Sequence, residues 1–207
     1  MKLLSLVLLL FASIGFVLLG CSDNSAVPVS PTEQSVGVPL ILAKYTETPF
    51  EGFMWQDVNA PGFLVDPGVV KSPDGKILIK GVKQKVLCAA TFPAGETDLF
   101  SGNGVVTMNG IADPNTGVGD FYGKITVTPT NGGGVWELTW HAKGTFGPIT
   151  DPLGLLCPFC WTLALKEQGP GKGGTLTGMH VFMENNVLVS PDFIMWTGAY
   201  TGVIKSH

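Results

Sequence analysis

Val135-Trp-Glu-Leu-Thr-Trp-His-Ala-Lys-Gly-Thr-Phe146 alternates strictly from Trp136 to Lys143. Successive side chains of an extended strand point to opposite sides, so Trp136, Leu138, Trp140 and Ala142 share one face, and Glu137, Thr139, His141 and Lys143 share the other. An apolar series of period two cannot be gathered onto one side of a helix. The segment is therefore a strand with one face on a core, and that face carries two tryptophans.

The same pattern extends in both directions. Asn131-Gly-Gly-Gly134 hands the chain into this strand, and further strand-like runs rich in valine, isoleucine, threonine and aromatics lie at 76–92, 102–111, 121–128, 161–168, 175–184 and 196–205. Ser72-Pro-Asp-Gly75 precedes the first of them, with an Asp-Gly pair suited to the positive dihedrals of a tight turn. Asp113-Pro-Asn-Thr-Gly117 separates the next two, and Gly169-Pro-Gly-Lys-Gly-Gly174 reads as a hairpin loop. Seven or eight strands at short spacing, with no helical segment, predict an all-β domain. A small antiparallel up-and-down β-barrel is favoured over a β-sandwich, because the strands are long and consecutive ones are joined by short glycine turns. Gly178, Gly198 and Gly202, placed inside strands, would relieve the coiling of such a barrel.

The run Gly-Gly-Gly-Val-Trp-Glu-Leu-Thr-Trp140, with Gly173-Gly-Thr-Leu-Thr-Gly-Met179, resembles the glycine-rich hairpins of lipocalin-like and allene-oxide-cyclase-like barrels. The resemblance covers about a third of the chain and implies a soluble barrel, though no catalytic residue matches. The polar faces have no lipid-facing band ending in aromatic girdles, which argues against an outer-membrane porin.

The N-terminus has a different character. Lys2 is followed by an almost wholly apolar run to Val17, closed by Leu18-Leu-Gly-Cys21. These residues resemble the lipobox of bacterial lipoproteins, in which signal peptidase II cuts before an acylated cysteine. The resemblance implies a signal peptide over 1–20, removal of that segment, lipidation of Cys21 and anchoring in the cell envelope through its acyl chains. A membrane span is the alternative, but the apolar stretch is barely as long as the ~20 residues a spanning helix needs. Ser22 follows the cysteine, and by resemblance to the sorting rule of Gram-negative lipoproteins a serine there implies the outer membrane. Residues 22–39 hold three prolines and no apolar period, so 21–45 is expected to be an acylated end with a flexible tether and 46–207 a single domain.

Charge narrows the partners. All 12 basic residues are lysines, against 16 acidic ones, giving a net charge of −4. Without arginine there is no bidentate fork for phosphates or base edges, and an acidic surface repels nucleic acid. Nucleic-acid partners are excluded on this ground. The expected partners are the membrane, through Cys21, and an apolar small molecule or an envelope protein.

Several constellations bear on chemistry. The face holding Trp136, Leu138 and Trp140, with Trp196 and Tyr200 opposite, either fills the barrel or lines a ligand cavity. His141 and His180 are the internal histidines, and Glu137 shares the face of His141. Residues four apart on a strand lie ~13 Å apart, too far to hold one ion, and no His-x-His pair exists, so no metal or catalytic site is assigned. Cys157-Pro-Phe-Cys160 resembles the redox pair of thioredoxin-like enzymes, but no strand-then-helix pattern surrounds it, and in an exported chain a disulfide is the expected state. That leaves Cys88 as a buried, inert thiol, unless it bridges to a member of the pair. Asp113-Pro-Asn-Thr-Gly-Val-Gly-Asp120 faintly resembles a calcium loop but lacks the closing bidentate glutamate, and is read as a turn. No cofactor motif is present. The function expected is a non-enzymatic binding or interaction module; the alternative is a cyclase- or isomerase-like barrel acting on an apolar small molecule, with His141, His180 or Glu137 inside the lumen.

Overall fold

A computed structural model of the chain describes residues 45–56, 61–149 and 159–206. The described strands belong to the unit Leu42–His207. They are β1 (Thr46–Trp55), β2 (Leu64–Asp66), β3 (Val69–Lys71), β4 (Ile77–Thr91), β5 (Gly102–Asp113), β6 (Val118–Pro129), β7 (Val135–Pro148), β8 (Phe159–Lys172), β9 (His180–Val189) and β10 (Trp196–Ser206). β4 to β10 pair each with the next in antiparallel register, and β1 lies against both β10 and β4. The hydrogen bonding therefore runs in a ring of eight strands, and β2 and β3 pair with β4 outside it. The all-β, barrel-like architecture expected from the alternation is the one observed.

The alternation in β7 sets the pattern. Trp136, Leu138, Trp140 and Ala142 are buried, while Glu137, Thr139, His141 and Lys143 are exposed. β8 obeys the same rule: Trp161, Leu163, Leu165 and Glu167 point in, and Thr162, Ala164, Lys166 and Gln168 point out. At one end of the ring Phe121, Trp161 and Phe193 pack with ring centroids 5.6 to 5.9 Å apart. At the other, Phe100 lies among Phe50, Tyr200 and Trp136 at 5.1, 5.6 and 6.4 Å. Leu176, on the turn between β8 and β9, is fully buried and adds to that second plug.

Some boundaries differ from those read in the sequence. β1 was not foreseen as a strand, yet it closes the ring. β8 runs on to Lys172, so Gly169-Pro-Gly-Lys172 is strand and not loop. Its two glycines face inward, where a Cβ on Gly171 would fall 2.6 Å from the Cβ of Leu176. The expected strand 175–184 is displaced to His180–Val189. Thr175 to Met179 belong to the turn, where Gly178 takes a φ of +83° that an extended strand excludes, so Gly178 relieves no coiling. Gly198 and Gly202 do lie within β10, and a Cβ on Gly202 would strike Phe50 at 2.7 Å. Asp74 and Gly75 both have positive φ, as an Asp-Gly turn requires.

Candidate functional site

Between the two aromatic plugs the ring leaves a cavity of about 40 Å³. Its wall is mostly apolar, with Met54, Met108, Ile125, Leu163 and Val187 among the contributors, and it also presents Gln84, Trp140, Glu167, Asn185 and Trp196. Strict alternation accounts for the buried carboxyl: counting by twos from Trp161 brings Glu167 to the inner face of β8. The register sets Trp140 of β7 directly beside Glu167, and Leu165 opposite Asn185 of β9, so Asn185 sits on the diagonal from Glu167.

Asn185 Nδ2 donates to Glu167 Oε1 at 3.2 Å. Trp196 Nε1 donates to Gln84 Oε1 at 3.2 Å, and Gln84 Nε2 donates to the carbonyls of Phe193 and Ile194. That second network fastens the β9–β10 turn across the end of the barrel. Glu167 Oε2, Asn185 Oδ1 and Trp140 Nε1 have no hydrogen-bond partner. Buried polar atoms are nearly always paired, so unpaired ones on three residues that line one cavity leave hydrogen-bonding capacity there for water or a guest. Two inward glycines make the room. A Cβ on Gly123 would lie 2.8 Å from the Trp140 ring, and one on Gly198 would lie 2.5 Å from Asn185 Oδ1.

Burial pushes the Glu167 carboxyl up to about 7, against which the Asn185 hydrogen bond pulls it down. Cys88 is free and buried; desolvation, and then the charge of Glu167, push its thiol well above the ordinary range. Cys88 is thus a buried free thiol, as expected, and no bridge ties it to the Cys157–Cys160 pair. Tyr200 is likewise pushed up, chiefly by burial, while its hydroxyl donates to Ala89 O at 2.8 Å.

Of the aromatic residues singled out in the sequence, Trp140 and Trp196 stand in the cavity wall. Trp136 and Tyr200 belong to the packed layer around Phe100, where Trp136 Nε1 donates to Leu99 O at 2.8 Å. Leu138 is buried in the core and does not reach the cavity. The polar residues that a barrel enzyme would need inside are outside. His141 and Glu137 lie on the outer face of β7, Glu137 paired with Lys172 at 2.5 Å. His180, at the start of β9, stacks against Phe182 at 4.7 Å, and β8 stands between it and His141. The Asp113 side chain caps its own turn, accepting from the Asn115 and Thr116 amides, and no group of three metal-ligating side chains is present among the described residues. Cys160 is buried at the start of β8 and is not a free thiol; Cys157 and Cys21 lie outside the described residues.

Glu167, Gln84 and Asn185 were missed in the sequence. The signal that could have found them is the phase of the alternation, which places each in register with an apolar inward series. No family model, no curated protein and no solved structure matches the chain. The function must therefore be argued from this interior.

Proposed function

We propose that the chain is an exported lipoprotein, acylated at Cys21 and held by a tether in the cell envelope at the outer membrane, whose barrel is a non-enzymatic module binding a small molecule in its interior. The anchoring part is supported by Lys2, the apolar run and Leu18-Leu-Gly-Cys21. The binding part is supported above all by one observation: three residues lining a single cavity, Trp140, Glu167 and Asn185, each keep an unpartnered polar atom. A cavity of about 40 Å³ suits a guest of a few heavy atoms, and not a fatty or polycyclic one. With Cys88 free and Cys160 engaged, the disulfide of this reading joins Cys157 to Cys160.

The cyclase or isomerase alternative gains nothing from His141, His180 or Glu137, which face outward or lie at the rim. Catalysis there would rest on Glu167 alone, with no second group to return a proton. Native mass spectrometry of the full chain purified from its own membrane tests both parts of the proposal. The expected spectrum shows a chain beginning at residue 21 with acyl chains and a small retained guest that is lost on unfolding. An unacylated chain would refute the anchor, and a chain free of any guest would refute the binding module.

A further inference from the structure

The barrel interior holds, among the described residues, one ionisable carboxyl and no base. Among the described residues the buried polar or charged side chains are Gln84, Glu167, Asn185 and Ser190, and no described lysine or histidine side chain is buried. The ion pairs among the described residues lie on the outer surface, where Lys166 meets Glu184, Lys172 meets Glu137 and Lys205 meets Glu47. A carboxylate in an apolar cavity needs either a proton or a counter-charge, because desolvation penalises it and the single Asn185 hydrogen bond offsets that penalty only in part. The titratable groups that couple to it from other strands of the ring, Cys88 on β4 and Tyr200 on β10, are both held in their neutral forms and give no positive charge.

The free atoms specify the shape of the missing partner. When Glu167 is ionised, its Oε2 and Asn185 Oδ1 are both acceptors, so a partner of the charged form must donate the hydrogen bonds there. An anion or an ether would present acceptors to acceptors. The rest of the wall brings the indoles of Trp140 and Trp196 and the thioethers of Met54 and Met108, surfaces that favour a small organic cation with a carbon stem. The Trp140 N–H is left for a hydroxyl or a water beside it.

We propose that the interior site binds a small primary alkylammonium compound, whose N–H groups donate to Glu167 Oε2 and Asn185 Oδ1 while its carbon atoms lie against Trp140 and Trp196. This rests on the reading of the barrel as a binding module and names its ligand class. The bound cation supplies the charge that the fold withholds from Glu167.

The test is a titration of the full chain in detergent with methylammonium chloride at pH 6 and pH 8, followed by tryptophan emission, with acetamide and sodium acetate as probes of similar size. The cation is charged at both pH values, so its affinity follows the ionised fraction of Glu167. With that carboxyl titrating at about 7, binding should be about tenfold tighter at pH 8. Glu167→Gln should abolish it with the fold retained, and Asn185→Leu, which keeps the carboxyl, should weaken it severalfold. A methylammonium response that is absent, equal at the two pH values, or unchanged in Glu167→Gln overturns the proposal. Saturable binding of acetamide or acetate without methylammonium would overturn the cation and leave the binding module standing. No response to any of the three, together with no retained guest in the native mass spectrum, would bring down both.

Discussion

Asn185 spends its amide N–H on one oxygen of Glu167, at 3.2 Å, and leaves the other oxygen of this cavity-lining residue with no partner. The pair is therefore half-built. A side chain chosen only to fill a barrel would be apolar, since a half-satisfied buried polar group costs stability relative to a hydrocarbon of the same volume. That cost is open to measurement.

Glu167 holds its proton more tightly in the folded protein than in the unfolded chain, about 7 against 4.5. Its contribution to stability is therefore greatest below about pH 4.5 and is lost as pH rises to about 7, a fall on the order of 3 kcal/mol. Glu167→Gln cannot lose it. In denaturant melts the variant should match the wild type near pH 4.5 and be the more stable of the two at pH 8. Parallel curves for the two proteins would show the carboxyl to be relieved in some other way.

Trp140 is buried, and Gly123 is kept free of a Cβ beside its ring. Trp140→Ala should destabilise the protein by roughly 3–5 kcal/mol, as a large-to-small change in a packed interior does. A loss well under 1 kcal/mol would mean that the ring lines open space, and that the cavity is far larger than about 40 Å³.

Thiol labelling separates the cysteines. Cys88, buried and with its thiol pushed up by desolvation, should react only after unfolding. Cys157 and Cys160 should be protected until reductant is added. Because the loop between them is short, reduction should lower the melting temperature only modestly. Free alkylation of both in the native protein would remove the proposed disulfide.

The barrel was legible in the sequence because its strongest signal is periodic. Trp136 to Lys143 alternate strictly, and the Asp-Gly and triple-glycine turns are fixed by backbone geometry. β1 was not legible, since Pro49 breaks its run and the inward position between Phe50 and Met54 is Gly52, which shows no hydrophobicity. The shift of β9 has a related cause: Thr175-Leu-Thr177 alternates like a strand, but the glycines on either side impose a turn. The site was the least visible part. In Leu165-Lys-Glu-Gln168 the glutamate stands between two polar neighbours and looks like the solvent end of a strand. Only the phase set by Trp161 and Leu163 turns it inward, and the meeting with Asn185 depends on a register that no local pattern specifies.

The most direct test of the interior site is the titration of Glu167 itself, followed by the carboxyl ¹³C resonance that disappears in Glu167→Gln. The buried, unpaired carboxyl should titrate at about 7 in the unliganded protein and move downward when methylammonium is added. A midpoint near the ordinary 4.5, unmoved by methylammonium, would mean that the group is solvated or already paired, and would contradict the account of a charged site waiting inside the barrel.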